Sequence, residues 1–199
     1  MKIIGITGGV GSGKSRVLSY IEEKYHAVIC QADHVAWKIQ EPGQEAHRQI
    51  VEVFGIGILN EDHTINRKAL GQIVFHNEEK LLALNSIMHP SVKVAIKNAI
   101  KEEQEKGTKL FVLEAALLIE EHYDEICDEL WYIYTDEQNR RNRLKESRQY
   151  TDEKIDAIMA TQLSEEVFRK ECQRVIENSG DFEMTAKQID DAIEQLGEI

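Results

Sequence analysis

The sequence predicts an α/β protein built on a parallel sheet flanked by helices, and three observations carry that prediction. Short apolar runs of strand length alternate with longer stretches of helical periodicity. The first run, Ile3-Ile4-Gly5-Ile6, leads directly into a glycine-rich segment, Gly8-Gly9-Val10-Gly11-Ser12-Gly13-Lys14-Ser15. Past that segment Val17, Leu18 and Ile21 recur at helical spacing. A strand, a G-x-x-x-x-G-K-[ST] turn and a helix in this order form a phosphate-binding unit, so the fold class narrows to the P-loop NTPase type.

Each part of the loop has a physical task. Its glycines let the backbone turn tightly and aim successive N–H groups at phosphate oxygens, while the helix N-terminus adds partial positive charge. Lys14 has the length to reach β- and γ-phosphates, and the Ser15 hydroxyl is placed to join a Mg²⁺ coordination shell. Arg16 completes the candidate nucleotide-binding set that begins at Gly8. The expected ligand is a nucleoside triphosphate.

The remaining strands are expected at Ala27-Val28-Ile29-Cys30, Leu110-Phe111-Val112-Leu113, Leu130-Trp131-Tyr132-Ile133-Tyr134 and Arg174-Val175-Ile176. Strands separated by helices pair in parallel, and ligands of such sheets bind beyond the C-terminal strand ends. Asp33 follows the second run within three residues. A carboxylate there can take the proton of an attacking hydroxyl, or it can cap the helix that begins near His34. Glu114 ends the third run and is a candidate Mg²⁺ ligand through water, or a solvated rim carboxylate.

Residues 34–107 read as a helical insertion, with Ile65, Ala69, Leu70 and Ile73 and then Leu81, Leu84, Ile87 and Met88 at helical intervals. The insertion serves either as a substrate-binding region or as a structural cap. A second helical stretch, Thr135 to Lys170, carries Arg140, Arg141, Arg143, Lys145 and Arg148 in one window. That composition suits a lid over phosphates at about residues 136–150, or a solvated helix face paired with Glu137 and Glu146. Met184 to Leu196 reads as a closing amphipathic helix, and residues 1–199 as one domain.

With 24 Lys+Arg against 36 Asp+Glu, the formal charge of -12 argues against a general nucleic-acid binder. The N-terminal apolar stretch is too short for a signal peptide, and no segment reaches the length of a membrane span. Cys30, Cys127 and Cys172 are widely spaced and read as reduced packing residues of a cytoplasmic protein. The seven histidines lack paired spacing, so no zinc is expected. An N-K-x-D base-reading motif is absent, which favours a kinase over a guanine-nucleotide switch.

Beyond the loop, an ordered series of stretches resembles the dephospho-coenzyme A kinase family over nearly the whole chain. After Ile4 to Ser15 it comprises Ala32-Asp33, Phe54-Gly55, Asn66-Arg67-Lys68-Ala69-Leu70, Ile73-Val74-Phe75 and Leu84-Asn85 through His89-Pro90. It continues with Leu117-Leu118-Ile119-Glu120, Gln138 with Arg141, Gln162 and Val175-Ile176-Glu177-Asn178. The resemblance implies a parallel-sheet nucleotide core, a helical CoA-binding region and a lid. It implies transfer of phosphate from ATP to the ribose 3′-hydroxyl of dephospho-CoA, the last step of CoA synthesis. By the same resemblance Asp33 is the catalytic base, Arg141 and Arg148 are the lid residues, and residues near His89-Pro90 shape the acceptor site. The family's usual residues are replaced here by Gln31, Trp37, Arg16, Glu114 and Ala116. Two other functions stay open at this point: a different small-molecule nucleoside or nucleotide kinase, and a nucleotide-binding regulator without transfer activity. A monomer is the expected state.

Overall fold

In a computed structural model describing residues 1–197, five strands form one parallel sheet: β1 (Lys2–Thr7), β2 (Val28–Gln31), β3 (Leu110–Glu114), β4 (Glu129–Tyr134) and β5 (Arg174–Glu177). Their order is β2-β3-β1-β4-β5, so β1 is the central strand. It pairs in parallel with β3, Ile4 opposite Val112, and with β4, Ile6 opposite Trp131. Residues Ile3 to Thr7 are all buried, as a strand covered on both faces requires. Sequence places each strand within a residue or two of its observed ends.

The helices are α1 (Lys14–Tyr25), α2 (Ala32–Lys38), α3 (Glu45–Phe54), α4 (Arg67–Phe75), α5 (Glu78–Glu105), α6 (Glu137–Arg148), α7 (Asp152–Ala160), α8 (Glu165–Glu171) and α9 (Phe182–Gln195). The chain divides into two compact units, one made of Met1–Cys30 with the chain from Glu103 onward, the other of Gln31–Glu102. Residues 198 and 199, included in the single-domain expectation, lie outside the described residues.

In the sheet unit, Val17 and Ile21 of α1 and Ile189 and Ile193 of α9 join Ile4, Ile6, Val112, Trp131 and Ile133 in one buried core. At about 1.5–3 kcal/mol for each fully buried large aliphatic side chain, this core is the main term holding α1 against the sheet. A polar tie reinforces it: Asp190 of α9 accepts hydrogen bonds from Tyr20, Lys24 and Tyr25 of α1 at 2.7, 2.7 and 2.6 Å. On β4, Tyr132 stacks on Phe168 of α8 with ring centroids 4.7 Å apart.

The stretch expected as one helical segment from 135 to 170 is three helices. Gln149 takes a left-handed conformation, φ 54°, which ends α6. Thr151 and Ser164 then cap the starts of α7 and α8 through their side-chain oxygens.

The helical unit has its own core, in which Ile50, Ile58, Ile65 and Leu70 are buried and Phe54, Leu84, Ile87 and Met88 pack around them. Leu59 and Ile65 form an antiparallel bridge, and Asn66 caps α4 by accepting the Ala69 N–H at 3.0 Å. Pro90 lies inside α5, where it lacks a backbone donor. Among the described residues no helix is long and apolar enough to cross a membrane. Among the described residues the three cysteines form no disulfide, and burial pushes the thiols of Cys127 and Cys172 up to about 12.

Candidate active site

The glycine-rich loop joins the buried end of β1 to α1, and its last glycine starts the helix. Gly13 is the N-cap at φ 84°, ψ 19°, a left-handed conformation that L side chains disfavour. Space closes the same position: a Cβ there would lie 2.5 Å from Asn178 Nδ2 and 3.1 Å from Arg143 Nη1. Helix α1 carries no side-chain cap and no acidic residue in its first turn. The positive end of its dipole therefore meets no acidic side chain of its own first turn, the condition for holding an anion.

Two hydroxyls at the loop, those of Thr7 and Ser12, are buried and have no hydrogen-bond partner among the described residues. Unpartnered buried donors are rare and call for an account; phosphate oxygens at the loop would supply one. Lys14 Nζ donates to the Gly8 carbonyl at 2.7 Å and lies 3.9 Å from Glu114 Oε1. Ser15 is exposed in the first turn of α1. Arg16 stacks its guanidinium over the Phe182 ring, 4.0 Å from the centroid.

The loop is held from outside at two peptides. At Val10, the N–H donates to Gln162 Oε1 at 3.2 Å while Arg140 Nε donates to the carbonyl at 2.9 Å. Arg140 Nη2 also donates to Gln162 Oε1 at 2.8 Å, closing the bracket. A Cβ on Gly9 would collide with the Arg140 guanidinium. At Ser12, the carbonyl accepts from Asn178 Nδ2, Thr135 Oγ1 and Arg143 Nη1 at 2.7, 3.0 and 3.3 Å.

Of the basic residues on α6, then, Arg140 and Arg143 touch the loop. Arg141 is turned to Glu137 at 2.8 Å and Asp156 at 2.5 Å, with Asp152 at 3.8 Å. Asp156 first and then Glu137 raise its pKa further above the ordinary arginine value. Arg148 is exposed, with its guanidinium 5.9 Å from the Tyr150 ring. Burial lowers the pKa of Arg140 instead. On the helical wheel Arg140 and Arg148 lie about 40° from Leu144, the one apolar and buried residue of α6, Arg141 about 60° and Arg143 about 100°, so the sequence carries no signal for this division.

In the helical unit, Asp33 is the second residue of α2 and is exposed. The N-cap position is Gln31, and no side chain caps this helix. Asp33 therefore has no capping bond. Trp37 is half exposed, with the His34 ring 5.2 Å away and the Arg67 guanidinium 4.8 Å over its face. A groove of about 510 Å³ is lined by Ile39, Gln44, Ser86, Pro90, Ser91 and Asn98, mixing apolar walls with amides and hydroxyls. Among the described residues no three His, Cys, Asp or Glu side chains gather to hold a metal ion.

A parallel sheet of this order, an uncapped helix behind a glycine loop and an arginine-bearing helix bonded to that loop define a P-loop kinase. Two solved structures share the fold. One is a protein from Thermus thermophilus (TM-score 0.80, 25% identity, 99% of this chain and 98% of that one); the other is a dephospho-CoA kinase from Campylobacter jejuni (0.73, 24%, 98% of each). A dephospho-CoA kinase of Carboxydothermus hydrogenoformans is 40% identical over 189 residues, 95% of this chain and 91% of the relative. The model of the dephospho-CoA kinase family matches residues 2–183. The chain belongs to the dephospho-CoA kinase family.

Proposed function

We propose that this enzyme transfers the γ-phosphoryl group of ATP to the ribose 3′-hydroxyl of dephospho-CoA, giving CoA and ADP. The observation that carries this is family membership across residues 2–183 in a chain whose phosphate loop is fully built. The unpartnered hydroxyls of Thr7 and Ser12 and the uncapped start of α1 fit a polyphosphate at Gly8 to Arg16.

In the proposed chemistry Asp33 accepts the 3′-hydroxyl proton as its oxygen bonds to the γ-phosphorus. The bond from that phosphorus to the bridging oxygen breaks and ADP departs. Lys14 leaves the Gly8 carbonyl to meet β- and γ-phosphate oxygens, and lid arginines offset charge spreading onto the equatorial oxygens. Arg140 is nearest the loop; Arg141 and Arg148 reach phosphate by exchanging their present partners. Ser15 directly, and Glu114 through water, would hold Mg²⁺, with other ligands from phosphates and water. When bound, that ion would supply positive charge to offset that of the phosphates. Residues around Pro90 and Trp37 shape the acceptor side, and the enzyme acts in the cytoplasm as a monomer, without nucleic acid or membrane.

Incubation with ATP and dephospho-CoA, with the product located by mass and by phosphorus NMR, tests the assignment. CoA phosphorylated at the 3′ position supports it. Transfer only to other nucleosides or nucleotides would trace to Gln31 and Trp37, and nucleotide binding without transfer would make the protein a regulator.

A further inference from the structure

We propose that Asn178 is a positioning residue for phosphoryl transfer, acting through the Ser12–Gly13 peptide; this deepens the nucleotide-site assignment above and rests on it. Asn178 follows β5 directly and is 4% exposed. Its own backbone is fixed without help from its side chain. The N–H donates to the Tyr134 carbonyl at 2.8 Å, and the carbonyl accepts from Arg143 Nη2 at 2.7 Å and Thr135 Oγ1 at 3.1 Å.

The side-chain amide is free to do something else, and its two ends do different things. Oδ1 accepts the Thr185 hydroxyl at 3.1 Å, and Nδ2 donates to the Ser12 carbonyl at 2.7 Å. Turning the amide over would set its oxygen against the Ser12 oxygen, two acceptors with no proton between them. One orientation is therefore selected.

A trans peptide is planar, with its C=O and N–H pointing in opposite directions. Drawing the Ser12 carbonyl towards Asn178 therefore turns the Gly13 N–H the other way. In a loop that binds phosphate through backbone N–H groups, the heading of each peptide is part of the site. Thr135 and Arg143 reach the same oxygen, but at 3.0 and 3.3 Å, and Asn178 makes the shortest of the three bonds. The amide also lies directly against Gly13, as the missing Cβ there shows.

The test compares Asn178→Asp, Asn178→Ala and Thr185→Val, with ADP affinity by calorimetry, steady-state constants for both substrates, and melting temperature. Asn178→Asp sets a carboxylate oxygen against the Ser12 carbonyl, so kcat/KM for ATP and ADP affinity should both fall by about tenfold or more, while KM for the acceptor holds. Protonating the introduced carboxyl restores a donor. The deficit of Asn178→Asp should therefore shrink as pH is lowered from about 8 to about 6, whereas that of Asn178→Ala stays flat. Thr185→Val removes the one hydroxyl proton shared between Oδ1 and the Glu177 carbonyl, at 3.1 and 3.0 Å, and should cost stability while leaving nucleotide constants close to the parent's. Parent-like ADP affinity in both Asn178 variants would overturn the inference, and so would Thr185→Val reproducing their nucleotide loss. ADP affinity needs no acceptor, so a failed product assay would refute the acceptor assignment alone.

Discussion

Arg140 and Gln162 bond to each other at 2.8 Å while gripping opposite ends of the Val10 residue, one at its carbonyl and the other at its N–H. Helix α6 is thereby tied to the phosphate loop through main-chain atoms, and the tie survives any change of the side chain at position 10. Arg140→Ala should depress kcat/KM for ATP substantially more than Arg141→Ala, whose guanidinium is engaged with Glu137, Asp152 and Asp156. Steady-state kinetics of the two single variants decide the matter. A larger loss in Arg141→Ala would mean that the lid rotates by about a quarter-turn before transfer.

Lys14 is the one cation of the loop itself, and in this structure it spends its charge on the Gly8 carbonyl beside Glu114. Lys14→Ala should abolish most turnover in a protein that still folds, because Lys14 is the cation that meets the β- and γ-phosphates in the proposed chemistry, and thermal scans of the variant check that the fold survives. Near-parent turnover in the folded variant would remove Lys14 from phosphate binding.

Asp33→Asn keeps the shape of a side chain that makes no capping bond, so the fold and ATP affinity should be those of the parent. Transfer should slow by roughly a hundredfold or more, the usual weight of a general base. Full activity in Asp33→Asn would end its assignment as the base. A large fall in melting temperature would show a structural role instead.

The helix tie at Asp190 has a pH signature. Burial alone would raise this carboxyl, but hydrogen bonds from Lys24, Tyr25 and Tyr20 outweigh it and hold the pKa below the ordinary carboxylate value. A carboxyl lowered by folding contributes stability above its unfolded pKa of about 3.9 and loses that contribution as pH falls through the lower folded value. Asp190→Asn should therefore lower the melting temperature at neutral pH. With the side chain a third exposed, a loss of roughly 1 kcal/mol after discounting for solvent corresponds to about 2–4 °C. Thermal scans of both proteins should show a constant gap down to about pH 5 and a narrowing one below about pH 4. A gap independent of pH would assign the loss to packing.

The sheet was legible because each strand is a compact apolar run, and Ile3 to Thr7 is buried from end to end. The phosphate loop was legible because its chemistry is local: glycines, Lys14 and Ser15 lie within eight consecutive residues. What surrounds the loop was not. Asn178 and Gln162 could be singled out only through a family resemblance, since nothing in their own neighbourhoods points to a carbonyl or N–H at residues 10 and 12. Arg140 and Arg143 sat in a window with three other basic residues, and the phase of Leu144, about 40° from both Arg140 and Arg148, does not tell those bonded to the loop from the rest. Helix breaks at Gln149 and between α7 and α8 were hidden because a left-handed glutamine and two hydroxyl caps leave no glycine or proline to mark them.

The bond from Asn178 to the Ser12 carbonyl spans 166 positions. During synthesis the loop leaves the ribosome well before the amide proposed to orient one of its peptides, which follows 166 positions later. For most of that interval β1 has neither β4 nor β5 beside it, because those strands begin at residues 129 and 174. Closing so distant a contact carries a loop-entropy cost that local helix formation does not repay. Nucleotide affinity should therefore be among the last native properties a nascent or refolding chain acquires, after α1 and the helical unit have formed. A nucleotide present at that moment would bind only the completed sheet, and so would pull folding forward at its final step.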